Sequence, residues 1–170
     1  MSYKLNLGSG DVRIDGYINI DLYDETADIQ ADICDIPLPD GCAEKIVCYQ
    51  VIEHVPYNKN EALFNELYRL LKHDGEVIIE TPDIDVVARK ILEEGLEDKW
   101  VYNLVGEYHR PWDKDRYQDW EHNAASIHRN PWNYKRLVMF ATKAGFTRIT
   151  RRPQADYYPC EENLTVSLQK

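Results

Sequence analysis

The chain has 170 residues and a mass of 20.0 kDa, which is one domain's length and enough to build a core without disulfide or metal staples. Hydrophobic residues are 44% and charged residues 29%, a globular balance that excludes disordered and fibrous classes. The net charge of −10 argues against a nucleic-acid or anionic-membrane partner, and no apolar run reaches the roughly 18 residues a membrane helix needs. The start, Met1-Ser2-Tyr3-Lys4, has no signal-peptide core. Cys34, Cys42, Cys48 and Cys160 form no Cys-x-x-Cys pair, so the expectation is a reduced, cytoplasmic protein without a cysteine metal site.

In chain order, Tyr3–Leu7 alternates and stops at Gly8-Ser9-Gly10, the pattern of a strand ending in a tight turn. Tyr17–Asp21, Ile29–Ile33 and Lys45–Tyr49 are further short strand candidates. Leu63, Phe64, Leu67, Leu70 and Leu71 fall on one face of a helix, opposed by Glu61, Asn65, Glu66, Arg69 and Lys72. Asn58 with Glu61 has capping spacing for its start. Gly75–Glu80 is the clearest strand. Ile84, Val87, Ala88, Ile91 and Leu92 predict a second helix capped by Asp83 and ended by Gly95. Tyr134–Ala144, ended by Gly145, predicts a third, followed by strands at Phe146–Arg152 and Asn163–Leu168.

Strands alternating with helices predict an open, mostly parallel α/β sheet, in which ligands bind beyond the carboxyl ends of the strands. Gly8 and Gly10 let the backbone approach a ligand closely, and Asp21 at the end of the second strand can accept ribose hydroxyls. Together they suit an adenosine-containing cofactor. A dinucleotide fingerprint is not met, because Arg13 stands where a third glycine belongs and Asp21 follows Gly8 by only 13 residues.

The chain resembles the class I S-adenosylmethionine-dependent methyltransferases, especially short bacterial and phage-type members. The resemblance rests on Leu5–Gly10, Gly16–Asp21, Ala31-Asp32-Ile33, Ile36–Gly41, Val51–Val55, Leu70–Gly75 and Glu80–Asp83, with Ala144-Gly145-Phe146 before the closing strand. It implies a Rossmann-like sheet, mostly parallel with the last strand antiparallel, in a single domain over residues 1–170. It also implies S-adenosyl-L-methionine as cofactor. Gly8, Ser9 and Gly10 would pack against its methionine part, Asp21 would take the ribose hydroxyls, and Leu22 would lie beside the adenine. Asp32 would receive the adenine amino group with Ile33 against the ring, and Tyr49 and Gln50 would close over the sulfonium. Glu53 and His54 would stand at the mouth of the reaction pocket. Only nine residues separate Leu7 from Tyr17, so the family's first helix must shrink to a turn or vanish.

Residues 1–40 hold nine acids against two bases, which suits a cationic sulfonium and equally a solvated acidic surface. Residues 97–131 form an aromatic-rich insertion before the last helix, expected to cover the substrate side. The segment between the second helix and the last contains His109-Arg110-Pro111-Trp112 and, 19 residues later, His128-Arg129-Asn130-Pro131-Trp132. Its tryptophan faces suit stacking on a saccharide or another ring; they suit equally well a small core of their own. Among the histidines at 54, 109, 122 and 128, His54 and His128 are the candidate catalytic bases. No metal is expected. The reading is methyl transfer to oxygen or nitrogen of a small-molecule or saccharide-like acceptor. Its alternatives are a catalytically silent domain binding a partner through its tryptophans, and, further off, a nicotinamide-dependent oxidoreductase.

Overall fold

The computed structural model describes residues 2–106, 127–153 and 160–170. Seven strands form one sheet: β1 (Tyr3–Leu7), β2 (Ile18–Asp21), β3 (Ile29–Gln30), β4 (Ala43–Tyr49), β5 (Leu71–Pro82), β6 (Arg148–Arg152) and β7 (Asn163–Gln169). Their spatial order is β3-β2-β1-β4-β5-β7-β6. All neighbours are parallel except β7, which runs antiparallel to both β5 and β6. The α/β sheet with an antiparallel last strand is therefore present as expected. β3 is shorter than Ile29–Ile33, and β5 is longer than Gly75–Glu80.

The described helices are α1 (Asn60–Leu70), α2 (Ile84–Glu94), α3 (Asp98–Val105) and α4 (Tyr134–Ala144). α1 buries Leu63, Phe64, Leu67 and Leu70 and packs on α4, whose Leu137, Phe140 and Ala141 complete the layer. Phe64, Trp132 and Phe140 meet with ring centroids 5.6–5.8 Å apart, a tight aromatic cluster in the core. Asp83 caps α2 by accepting the Asp85 N–H at 3.1 Å, and Gly145 ends α4 in the left-handed region at φ 108°.

Three local expectations are corrected. α1 starts at Asn60 without a side-chain cap, so Asn58 does not cap it; a 3-10 turn at Tyr57–Lys59 leads in instead. Glu66 is buried rather than on a solvated face, because the backbone bends near Ile36 and needs its carboxylate. Glu66 Oε1 accepts the Ile36 N–H at 2.8 Å, and Arg69 brackets both of its oxygens. In α2 only Val87 is buried and Leu92 is exposed, since no element among the described residues covers that end of its apolar stripe.

The first helix is absent. Residues 8–17 join two parallel strands directly, and polar side chains do what a helix otherwise would. Asn6 Nδ2 donates to Asn19 Oδ1 at 3.0 Å between β1 and β2, and Asn19 Oδ1 also accepts the Ile14 N–H at 3.0 Å. Arg13 donates to Ser9 Oγ at 3.0 Å and to the Gly10 carbonyl, then reaches Asp24 Oδ2 at 2.6 Å. One guanidinium thus ties the glycine turn to the loop after β2.

Candidate functional site

A cleft of about 310 Å³ opens at the carboxyl ends of the parallel strands. Its walls are Gly8 after β1, Asp21 to Tyr23 at the end of β2, Asp32 and Ile33 after β3, and the segment from Gln50 to Pro56 after β4. Lys59 and Arg129 close its rim. Of the residues expected to hold the cofactor, Gly8, Asp21, Leu22, Asp32, Ile33 and Gln50 line this cleft, as does His54. Ser9, Gly10, Tyr49 and His128 are not among the residues that line it.

The narrowest point is between Gly8 and Val51. A Cβ on Gly8 would stand 2.5 Å from Val51 Cγ1, and the residue has φ +65°. Both facts require glycine there. Gln50 follows β4 at φ 56°, the one positive-φ non-glycine among the described residues. Its N–H donates to the Glu80 carbonyl at 2.8 Å, which holds the strained turn where the chain leaves the sheet.

Asp21 and Asp32 are held in opposite ways. Asp21 Oδ1 accepts the N–H groups of Tyr23 (2.8 Å) and Asp24 (3.0 Å), and Oδ2 accepts that of Gly10 (2.8 Å). With two lone pairs per oxygen, Oδ2 keeps one acceptor position. Asp32 Oδ1 accepts the Cys34 N–H at 2.9 Å, and Oδ2 meets Lys59 Nζ at 2.6 Å. Burial pushes the Asp32 carboxyl up, but the Lys59 ammonium and the Cys34 N–H outweigh it and hold it below the usual carboxylate range. The same partial burial, with Asp32 adjoining, pushes the Cys34 thiol up to about 12, so it is not a thiolate nucleophile.

Beyond His54 the cleft adjoins a small recess lined by Glu53, Asn103, His128 and Trp132. The His54 and His128 rings lie 5.0 Å apart edge to face. His54 Nδ1 faces the Ile127 carbonyl at 3.2 Å, and His128 Nδ1 faces the Asn103 carbonyl at 3.0 Å. Burial holds His128 below the ordinary imidazole value, favouring the neutral base. Glu53 is fully enclosed, which pushes its carboxyl up to about 8 although the Thr81 hydroxyl donates to Oε2 at 2.9 Å. Asn103 and Ile127 are what bring His128 here, through the pairing of Gly106 with Ile127.

Two tryptophans of the insertion are structural. Trp132 is buried and donates from Nε1 to the Ile52 carbonyl at 3.1 Å, and Trp100 is buried on α3. His109, Trp112, Trp120 and His122 lie outside the described residues. Lys59, Arg13 and Arg129 escaped the sequence reading. Lys59 carries no local signal, because its partner Asp32 is distant along the chain; Arg13 was visible only as a missing glycine.

The comparisons agree with this geometry. Residues 16–79 match the family model described as a methyltransferase domain. No curated protein matches the chain significantly by sequence. The fold is shared with an S-adenosylmethionine-dependent methyltransferase from Archaeoglobus fulgidus (TM-score 0.62, 11% identity, 99% of this chain and 86% of that one). It is also shared with a TehB-like methyltransferase from Corynebacterium glutamicum (0.58, 14%, 99% and 80%). Human N-acetylserotonin methyltransferase, solved in complex with S-adenosylmethionine, matches at 0.58 and 14% identity over 99% of this chain and 47% of its own. The sheet order is that of this α/β fold, and the glycine turn beside Asp21 lies at the carboxyl ends of its parallel strands. Over residues 16–79 the chain is similar to the methyltransferase-domain family, and its fold is the one that S-adenosylmethionine-dependent methyltransferases have. No helix among the described residues is long and apolar enough to cross a membrane.

Proposed function

We propose that the cleft binds S-adenosylmethionine along Gly8, Asp21, Leu22, Asp32, Ile33 and Gln50, and that a small-molecule or saccharide-like acceptor is methylated on oxygen or nitrogen beside His54. When bound, the cofactor supplies an electrophilic methyl group on a cationic sulfonium. The observation that carries the reading is the Asp21 carboxylate, fixed by three backbone N–H groups at the wall of the cleft with one acceptor position left on Oδ2. A ribose hydroxyl can donate there. Ser9 and Gly10 act from behind the wall by shaping the turn, and Tyr49 by ending β4 beside Glu80.

Two carboxylates in the wall, Asp21 and Asp32, give the cleft a field that suits a cation. Removal of the acceptor's proton falls to His54, which lines the cleft, and to His128, whose ring lies 5.0 Å from it. Calorimetric titration with S-adenosylmethionine and S-adenosylhomocysteine tests the reading. Saturable 1:1 binding of both, with none of reduced nicotinamide cofactor, supports it; no binding of either leaves the silent binding domain.

A further inference from the structure

We infer that Glu53, His54 and His128 form a binding site for a divalent transition-metal cation at the inner end of the cleft. One potential ligand atom from each of the three lies within 4.8 Å of the other two. A tetrahedral ion with ligands at about 2.1 Å separates those ligands by roughly 3.4 Å, so the set closes on a cation with side-chain movements of an ångström or so.

Both imidazoles are arranged as metal-binding histidines are. Each presents Nδ1 to a backbone carbonyl, Ile127 for His54 at 3.2 Å and Asn103 for His128 at 3.0 Å. A carbonyl only accepts, which places the ring proton on Nδ1 and the lone pair on Nε2. His54 Nε2 lies 3.9 Å from Glu53 Oε1, too far for a hydrogen bond between them.

The third ligand supplies the independent observation. Glu53 is 1% exposed; its Oε2 is used by Thr81, but its Oε1 has no hydrogen-bond partner among the described residues. A buried carboxylate oxygen left unpaired is costly, and a cation between it and the two imidazoles removes that cost. The segments bearing the ligands are also pinned together, since the Arg129 N–H donates to the Glu53 carbonyl at 2.8 Å and the His128 N–H to the Val105 carbonyl at 3.0 Å.

Two imidazole nitrogens and one carboxylate oxygen suit zinc, iron(II) or cobalt(II) rather than magnesium or calcium, which prefer all-oxygen shells. Three protein ligands leave a coordination position, and His54 borders the cleft where an acceptor would enter. Resting on the methyltransferase reading for this last step only, an acceptor hydroxyl coordinated there loses its O–H proton to water at neutral pH and retains the electron pair on oxygen, so that with the cation bound the two imidazoles act as ligands and water takes the proton that they would otherwise remove. No redox change is involved.

The test uses the full chain stripped with a chelator and titrated with cobalt(II), followed by its visible absorption, with zinc(II) as competitor. One cobalt(II) per chain, displaced by zinc(II), is expected. Affinity should fall at least 100-fold in Glu53→Gln and in His128→Ala, and remain unchanged in His73→Ala, which removes an exposed histidine elsewhere. S-adenosylhomocysteine titrated into the same samples reports whether the cleft is still formed in each variant. The inference is overturned by the absence of stoichiometric cobalt(II) binding, or by binding that survives both ligand substitutions. Cobalt(II) binding without S-adenosylhomocysteine binding supports the metal site and sinks the cofactor reading; the reverse sinks the metal site and leaves the cofactor reading standing.

Discussion

The Asp21 carboxylate accepts the Gly10 N–H at 2.8 Å, so the acid that ends β2 holds in place the glycine turn that follows β1. One residue therefore serves the turn's conformation and faces the cleft. That coupling explains how a connection of ten residues without a helix still presents an ordered wall to a ligand.

Replacing Asp21 by Ala should reduce affinity for S-adenosylmethionine by about 100-fold or more, the scale of losing a charged hydrogen-bond partner worth roughly 2–3 kcal/mol. Asp21→Asn should lose less, because one amide oxygen still accepts. Calorimetry measures both, and unchanged affinity in Asp21→Ala would remove the residue from the site.

Gly8→Ala should destabilise the fold by about 1–3 kcal/mol, since its Cβ would collide with Val51 and its φ of +65° is strained for alanine. Adding Val51→Ala should recover the steric part and leave the conformational part. Thermal unfolding of the single and double variants separates the two. Full recovery in the double variant would show that the left-handed backbone costs nothing here.

The pair Lys59–Asp32 spans the rim of the cleft at 2.6 Å, yet Lys59 is about half exposed, so its contribution to stability is small. Lys59→Met should change stability by less than about 1 kcal/mol and, in the proposed binding mode, should not weaken cofactor binding, because it would free Asp32 Oδ2 for the adenine amino group. A tenfold loss of affinity would mean that Lys59 itself contacts the cofactor.

Hydrogen bonds from Thr26, with Arg13 adding to them, hold the partly buried Asp24 carboxyl at about 2. The unfolded carboxyl titrates near 3.9. The stabilisation is therefore complete above about pH 4 and is lost as pH falls toward 2, where the native carboxylate takes up its proton. Thr26→Ala should narrow that acid loss. Unfolding curves of the two proteins between pH 2 and 5 should converge at the acid end, and parallel curves would show that Thr26 does not set this titration.

His54→Ala and His128→Ala should each lower turnover at least tenfold while sparing S-adenosylhomocysteine affinity. A matching loss of affinity would place the histidines over the cofactor rather than on the acceptor side.

The strand and helix pattern was legible in the sequence because its signals are local. Alternation in Tyr3–Leu7, the one-sided apolar positions of α1 and the stop at Gly145 depend only on near neighbours. The glycine turn and Asp21 were legible for a related reason: each immediately follows or ends a strand, and the carboxyl ends of parallel strands are where such sheets bind ligands, whereas Asp32 was marked only by the family resemblance. The missing helix could likewise be counted from nine residues between Leu7 and Tyr17.

What replaced that helix was not legible. Arg13 reaches Asp24, and Asn6 reaches Asn19, across turns whose geometry no local pattern specifies. The burial of Glu66, the reach of Lys59 to Asp32 and the structural use of Trp132 depend on which segments the sheet order brings together. Glu53 and His54 are adjacent in the chain, but His128 comes beside them through long-range contacts, the pairing of Gly106 with Ile127 and the Arg129 N–H on the Glu53 carbonyl. Local propensity and spacing determined the elements and one wall of the cleft; the other chemistry was decided by long-range packing, because a side chain's partners and its burial exist only once distant segments have met.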